Sequence, residues 1–180
     1  NMTKGPFGSD IKKDLYVPKS SDTYKVYIQI NAIAKDHTLG EYYISKEYFD
    51  SKMRRFEVKP GDYIITCDGT LGKFIRLPET IEKGIISASL LRLTLNENVT
   101  CKYFEYLWET YVLGELVKDT RNTALIHLPA ASKIGKVLIP LPQFELQVLF
   151  SNRINKIENI KSQIQKSIQD LETLLASRMQ

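Results

Sequence analysis

The sequence predicts an α+β fold, a mixed small sheet and hairpin domain followed by one long C-terminal coiled-coil helix. Three observations predict it. Short apolar runs punctuated by Gly and Pro fill residues 1–142 without the regular strand–helix alternation of a doubly wound sheet. Pro140-Leu141-Pro142 then enforces extended backbone and marks a break. Beyond it, residues 143–180 contain no Gly or Pro and repeat apolar side chains in alternating steps of four and three.

Taken in order, Lys25–Ile33 alternates apolar and polar residues and is rich in β-branched and aromatic types, which predicts a strand. Glu41–Ile44 reads as a short extended piece. Ser45 is placed to cap a helical turn over Lys46–Phe49, continued weakly by residues 50–55. Pro60-Gly61-Asp62 predicts a turn into the strand Tyr63–Cys67. Asp68-Gly69 predicts a second turn, and Lys73–Leu77 returns as the hairpin partner. Ile85–Thr94 reads as one strand. A helix starting at Asn98 or Thr100 carries Tyr103, Leu107, Tyr111 and Leu116 at helical spacing. Leu125–Leu128 is short and extended, Ala130–Ile134 is a turn of helix, and Val137–Ile139 is expected to be a last strand.

In the C-terminal segment Phe150, Ile154, Ile157, Lys161, Ile164, Ile168, Leu171, Leu175 and Arg178 form an a/d seam over about four heptads. A helix over residues 143–180 spans about 57 Å at roughly 1.5 Å per residue. The preceding 142 residues have an expected radius of gyration of only ~14 Å. The seam outruns any surface that domain offers, so a partner helix is expected, from another copy or another subunit, rather than a helix folded back on its own domain. Ile160 and Leu174 widen the stripe. Lys161 and Arg178 in core-type positions weaken the seam or face an acidic partner.

Composition narrows the function classes. With 43% hydrophobic and 10% aromatic residues the chain is not disordered. No apolar run approaches the ~18 residues of a membrane span. Cys67 and Cys101 lack metal or redox spacing and read as reduced thiols of a cytoplasmic protein. His37 and His127 are far apart and neither neighbours a cysteine pair, so no zinc is expected. Gly69-x-x-Gly72 lies in a hairpin turn rather than opening a helix, and P-loop spacing is absent, so no cofactor is expected. Glu57-Val58-Lys59 and Asp50-Ser51-Lys52 fall outside the best strands and read as solvated surface rather than a nuclease centre. Residues 1–142 hold 20 Lys/Arg against 17 Asp/Glu, and residues 143–180 hold 5 against 4. That mild positive bias permits a nucleic-acid partner without demanding one. The pattern is that of a reader, not a catalyst.

Several segments together resemble one family. They are Gly5-Pro6-Phe7-Gly8-Ser9 followed by Ile11-Lys12-Lys13, and Gln29-Ile30-Asn31-Ala32-Ile33. Val58-Lys59-Pro60-Gly61-Asp62-Tyr63-Ile64-Ile65-Thr66 then leads into Asp68-Gly69-Thr70-Leu71-Gly72. Asn122-Thr123-Ala124-Leu125-Ile126 and Ile139-Pro140-Leu141-Pro142 with Gln147 complete the set. In order and spacing these resemble the specificity subunits of Type I restriction-modification systems. The resemblance implies a DNA target recognition domain over 1–142 and a spacer and dimerisation helix over 143–180. Such a domain reads one half of a split site in double-stranded DNA and delivers it to methyltransferase and restriction subunits. A full subunit of the family has two recognition domains and two spacer helices, whereas this chain has one of each. Leu146 also stands where an acidic residue commonly precedes the family's Gln. A half subunit, or an excised half of a two-domain subunit, is therefore expected, pairing as a homodimer through Phe150, Ile154, Ile157, Ile164, Ile168, Leu171 and Leu175.

DNA recognition needs phosphate anchors and base-edge readers on one surface. Lys12 and Lys13, beside the Gly5–Ser9 loop, suit phosphates or are simply solvated. Gln29 and Asn31 are expected on one strand face, where an amide can pair bidentately with adenine. Thr70 and Lys73 offer a hydroxyl and a cation in the hairpin loop, and Arg121, Asn122 and Thr123 form a polar loop before an apolar run. The alternative reading is a coiled-coil protein-interaction module that never touches DNA.

Overall fold

The computed structural model describes residues 1–118 and 127–178. Among these, β-branched and aromatic runs form short strands: β1 (Met2–Lys4), β2 (Thr23–Tyr27), β3 (Tyr43–Ser45), β4 (Glu57–Val58), β5 (Tyr63–Thr66), β6 (Phe74–Arg76), β7 (Gly84–Ile86) and β8 (Leu90–Leu93). The helices are α1 (Gln29–Ile33), α2 (Lys46–Tyr48), α3 (Cys101–Leu107), α4 (Leu113–Val117), α5 (Ala131–Ile134) and α6 (Phe144–Arg178). The fold is α+β, small mixed sheets followed by a long C-terminal helix.

The chain divides into two units. The first comprises Asn1–Asn96 and Trp108–Ile139, the second Glu97–Leu107 and Pro140–Gln180. Thus the second unit takes in α3 as well as the long helix.

In the first unit one sheet has the order β1-β8-β5-β6 with every pair antiparallel. The other has the order β3-β2-β7-β4, with β2 and β7 parallel and the outer pairs antiparallel. All four residues of β5 are buried, as a central strand covered on both faces requires. Val26, Ile44, Phe49, Met53, Ile64, Leu77, Ile85, Ile86 and Leu90 meet in one continuous core drawn from both sheets. Each such side chain contributes about 1.5–3 kcal/mol by burial. Lys25 is buried in this unit without being isolated. Its ammonium donates to Thr38 O at 2.8 Å, lies 3.6 Å from Glu82 Oε1 and faces the Tyr27 ring.

Three expected elements differ. The strand from Lys25 ends at Tyr27, and Gln29–Ile33 is helical. Asn31 is the cause: its Oδ1 accepts the Ile28 N–H at 2.8 Å and turns the chain. Ile85–Thr94 is not one strand. Ser87 N donates to Tyr27 O while Cys67 N donates to Ser89 O, and the turn closed by Leu90 N on Ser87 O carries the chain from one sheet to the other. Val137–Ile139 forms no strand; Val137 N instead closes a turn on Ile134 O. The Ser45 cap is present, its Oγ accepting the Tyr48 N–H at 3.2 Å. The helical turn it starts continues as a π-helical turn over Phe49–Met53 and a 3-10 turn over Arg54–Phe56.

The second unit is built on one glutamine. Gln147 is buried in the first turns of α6; its Oε1 accepts the Thr100 N–H at 3.0 Å at the start of α3. Its Nε2 donates to Asn98 O at 3.0 Å and Pro142 O at 2.9 Å. Phe150 packs edge-on against Tyr103 and Tyr106, with ring centroids 5.6 and 5.1 Å away, and Lys102 pairs with Glu158 at 2.8 Å. Beyond these anchors α6 runs on, about 52 Å in all for its 35 residues. Every residue from 155 to 178 is exposed, the seam positions Ile157, Ile164, Ile168, Leu171 and Leu175 included. Phe150 and Ile154 are half-buried.

Candidate nucleic-acid interface

The β5–β6 hairpin carries a loop whose shape is set by local chemistry. Gly69 and Gly72 take φ of 68° and 71°, the left-handed region that favours glycine. Thr66, buried at the root, donates its hydroxyl to Thr70 O and accepts the Lys73 N–H at 3.0 Å. Trp108 Nε1 donates to Gly72 O at 2.9 Å from the far side. The loop is therefore a fixed platform, with Thr70 and Lys73 exposed on it.

Asp68, at the start of that loop, is a hub. Its carbonyl accepts from Gln29 Nε2 at 3.2 Å, and its Oδ1 lies 2.6 Å from His127 Nδ1 in a hydrogen bond that the ring donates. Asp68 and His127 also form a single antiparallel bridge, extended by Leu128 N donating to Cys67 O at 2.8 Å. Beneath them the Cys67 thiol is pushed up to about 12 by burial; the Lys4 charge opposes this and the Asp68 charge adds to it.

Asp68 also lines an open cleft of about 640 Å³, together with Lys4, the Gly5-Pro6-Phe7-Gly8 loop and Arg55. The Arg55 guanidinium lies 4.4 Å from the Phe56 ring centroid, a cation–π contact that positions it. A second cleft of about 350 Å³ uses the other side of the hairpin loop: Gly72, Lys73 and Phe74 face Lys35 and Glu109. Lys35 sits at φ 54° with its ammonium 5.7 Å from the Phe74 ring centroid. The surface thus sets cations, an amide, a hydroxyl and an imidazole around one loop, with the carboxylates of Asp68 and Glu109 among them; the cations suit phosphate anchoring, and the amide and hydroxyl suit base-edge contact.

The structure carries Thr70 and Lys73 on this loop and brings Gln29 to its start, where Gln29 bonds Asp68 O. It does not bring Asn31, whose assignment as a base reader is corrected. Asn31 is fully buried, and its amide is spent on Ile28 N, Asp36 O and Leu39 O. Gln29 stands on α1 rather than on a strand face. Lys12 and Lys13 are exposed at the start of the 3-10 turn Lys13–Leu15 and line neither cleft. Arg121, Asn122 and Thr123 lie outside the described residues. Lys4, Arg55 and Lys35 were not singled out by sequence. The consecutive pair Arg54-Arg55 was the available signal, and it splits, Arg54 pairing with Asp50 at 2.5 Å while Arg55 turns to the cleft. Among the described residues no cluster of three His, Cys, Asp or Glu is placed to hold a metal ion, and no helix is long and apolar enough to cross a membrane.

Two small four-stranded sheets, a hairpin-loop platform and a long C-terminal helix make an α+β fold that is shared with solved structures from type I restriction-modification systems. No family model and no curated protein matches the chain. The likeness is to solved structures. A chain from a type I R-M system, solved for its complex assembly and conformational transition, matches with a TM-score of 0.65 at 15% identity, over 93% of this chain and 38% of that one. The HsdS subunit from Thermoanaerobacter tengcongensis matches with a TM-score of 0.65 at 14% identity, over 93% of this chain and 37% of its own length. The chain therefore spans a little over a third of the length of the structures it matches, and the fold expected from the resemblance is the fold observed.

Proposed function

We propose that this chain is a DNA-reading specificity unit of a Type I restriction-modification system, recognising one half of a split site in double-stranded DNA. The observation that carries the reading is the fold likeness to specificity subunits over 93% of the chain. The polar and cationic surface around Asp68 supports it, because readers on a rigid loop discriminate bases while flanking cations hold phosphates. The unit is cytoplasmic and non-catalytic, and works with methyltransferase and restriction subunits that dock on its helix. The exposed seam on α6 supports a further step: two copies pair as a homodimer through their helices and place two readers on an interrupted palindrome.

The test is enrichment of a random duplex pool on the purified chain. A defined half-site should emerge, with affinity falling steeply as salt rises. A flat log-affinity against log-salt plot, with no enriched sequence, points instead to the protein-interaction module. Sedimentation at tens of micromolar should show a dimer, and a monomer refutes the pairing. In DNA binding, Lys73→Ala should weaken all sequences evenly, whereas Gln29→Ala should change site preference.

A further inference from the structure

We propose that Phe7 is a wedge that inserts at a base step of duplex DNA while Lys4 and Arg55 hold the flanking phosphates, an inference that rests on the DNA-reading function proposed above. Phe7 is 77% exposed, the most exposed aromatic side chain among the described residues. A single exposed apolar residue is ordinary; what sets this one apart is how its backbone is held.

The residues on either side are locked. Gly5 N donates to Leu90 O at 2.8 Å, and the Gly5 backbone runs so close to Ser87 that an added Cβ would lie 1.9 Å from Ser87 O. Pro6 is buried and has a fixed φ. On the other side, Asp10 N donates to Phe7 O at 2.8 Å and Ile11 N to Gly8 O at 3.3 Å, closing the 3-10 turn Gly8–Asp10. A ring carried on so constrained a backbone loses little freedom on insertion, which is the condition under which stacking adds affinity.

The surroundings fit nucleic acid better than another apolar partner. Phe7 lines the same cleft as Lys4 and Arg55, and the carboxylate in that wall, Asp68, is engaged by His127 at 2.6 Å. An apolar ring sharing a cleft with two cations matches the chemistry of a base step, whose stacked faces are apolar and whose flanking groups are phosphates.

The experiment uses the whole chain and the duplex that the wild-type chain enriches from a random pool, with 2-aminopurine placed at successive steps. Phe7→Ala should weaken binding by about fivefold to a hundredfold, the range for loss of one base–aromatic stack, and leave the salt slope unchanged because the ring is uncharged. Phe7→Trp should retain affinity. Lys4→Ala should reduce the slope by about one. One 2-aminopurine position should brighten with the wild-type chain and stay dark with Phe7→Ala. If Phe7→Ala binds the enriched duplex as wild type does and no position brightens, the wedge is overturned while the DNA reading stands. If the wild-type chain enriches no duplex, the DNA reading falls and the wedge falls with it.

Discussion

Replacing Gln147 by alanine should loosen the second unit at its base. The side chain is buried, accepts the Thr100 N–H, and donates to Asn98 O and Pro142 O at 3.0 and 2.9 Å. Three hydrogen bonds at about 0.5–1.5 kcal/mol each amount to about 1.5–4.5 kcal/mol, before any cost of the cavity. The loss falls on the first turn of α3 and the first turns of α6, so it is a local opening. A single midpoint from a thermal scan is ill-suited to a chain of two units. Native-state hydrogen exchange resolves it. Amides in α3, such as Phe104, which donates to Thr100 O at 3.0 Å, should exchange about ten- to a thousandfold faster, while β5 and β8 amides keep their rates. Gln147→Glu should not rescue. It still offers an acceptor to Thr100 N but turns carboxylate oxygen toward two carbonyls. Acceleration of less than about threefold in α3 for Gln147→Ala would refute the view that this amide holds the two helices together.

Asn31→Ala should destabilise the first unit by about 1.5–4.5 kcal/mol in urea unfolding, because three hydrogen bonds are lost at a fully buried site, and should leave any DNA sequence preference intact. Cys67 should resist iodoacetamide at pH 8 in the native chain, since burial pushes its thiol up to about 12, whereas half-buried Cys101 should label; peptide mass spectrometry distinguishes them. Glu82 shapes the acid limb of stability. Burial raises its carboxyl pKa, but the hydrogen bond from Lys19 and the charges of Lys19 and Lys25 outweigh that and hold it below its ordinary value of 4.5. A carboxyl lowered in the folded state contributes stability above its ordinary pKa and loses it as pH falls through the lowered one. Glu82→Gln should therefore be less stable than wild type at pH 7, with the difference shrinking as the pH is taken below about 4.5.

Much of the first unit is legible from local chemistry. Asp68-Gly69 marks the hairpin because a glycine is needed at positive φ, and the apolar run Tyr63–Cys67 is buried because it is the central strand. The run after Tyr27 departs from its strand pattern for a physical reason. Ile28-Gln29-Ile30-Asn31 satisfies period two as well as any strand, and only the side chain of Asn31 reaching back to Ile28 N turns it into a helix. The Ile85–Thr94 run hides its break for a similar reason, since Ser87, Ala88 and Ser89 bend only because Tyr27 and Cys67 belong to two different sheets.

The candidate site was less legible than the fold. Lys4 and Phe7 lie far in the sequence from Arg55 and Asp68, and pattern alone does not announce that the four share one cleft. Gln29 reaches the loop through its hydrogen bond to Asp68 O, but from a helix where the sequence pattern predicts a strand. The long helix is the opposite case. Its heptad seam is written residue by residue, because a period of three and four needs no knowledge of what lies elsewhere in the chain. Helix, hairpin turns and fold class are properties of neighbouring residues and could be read in line. The pairing of β2 with β7 and the gathering of cations around Asp68 depend on contacts between distant segments, and those exist only once the chain has closed its two sheets over a common core.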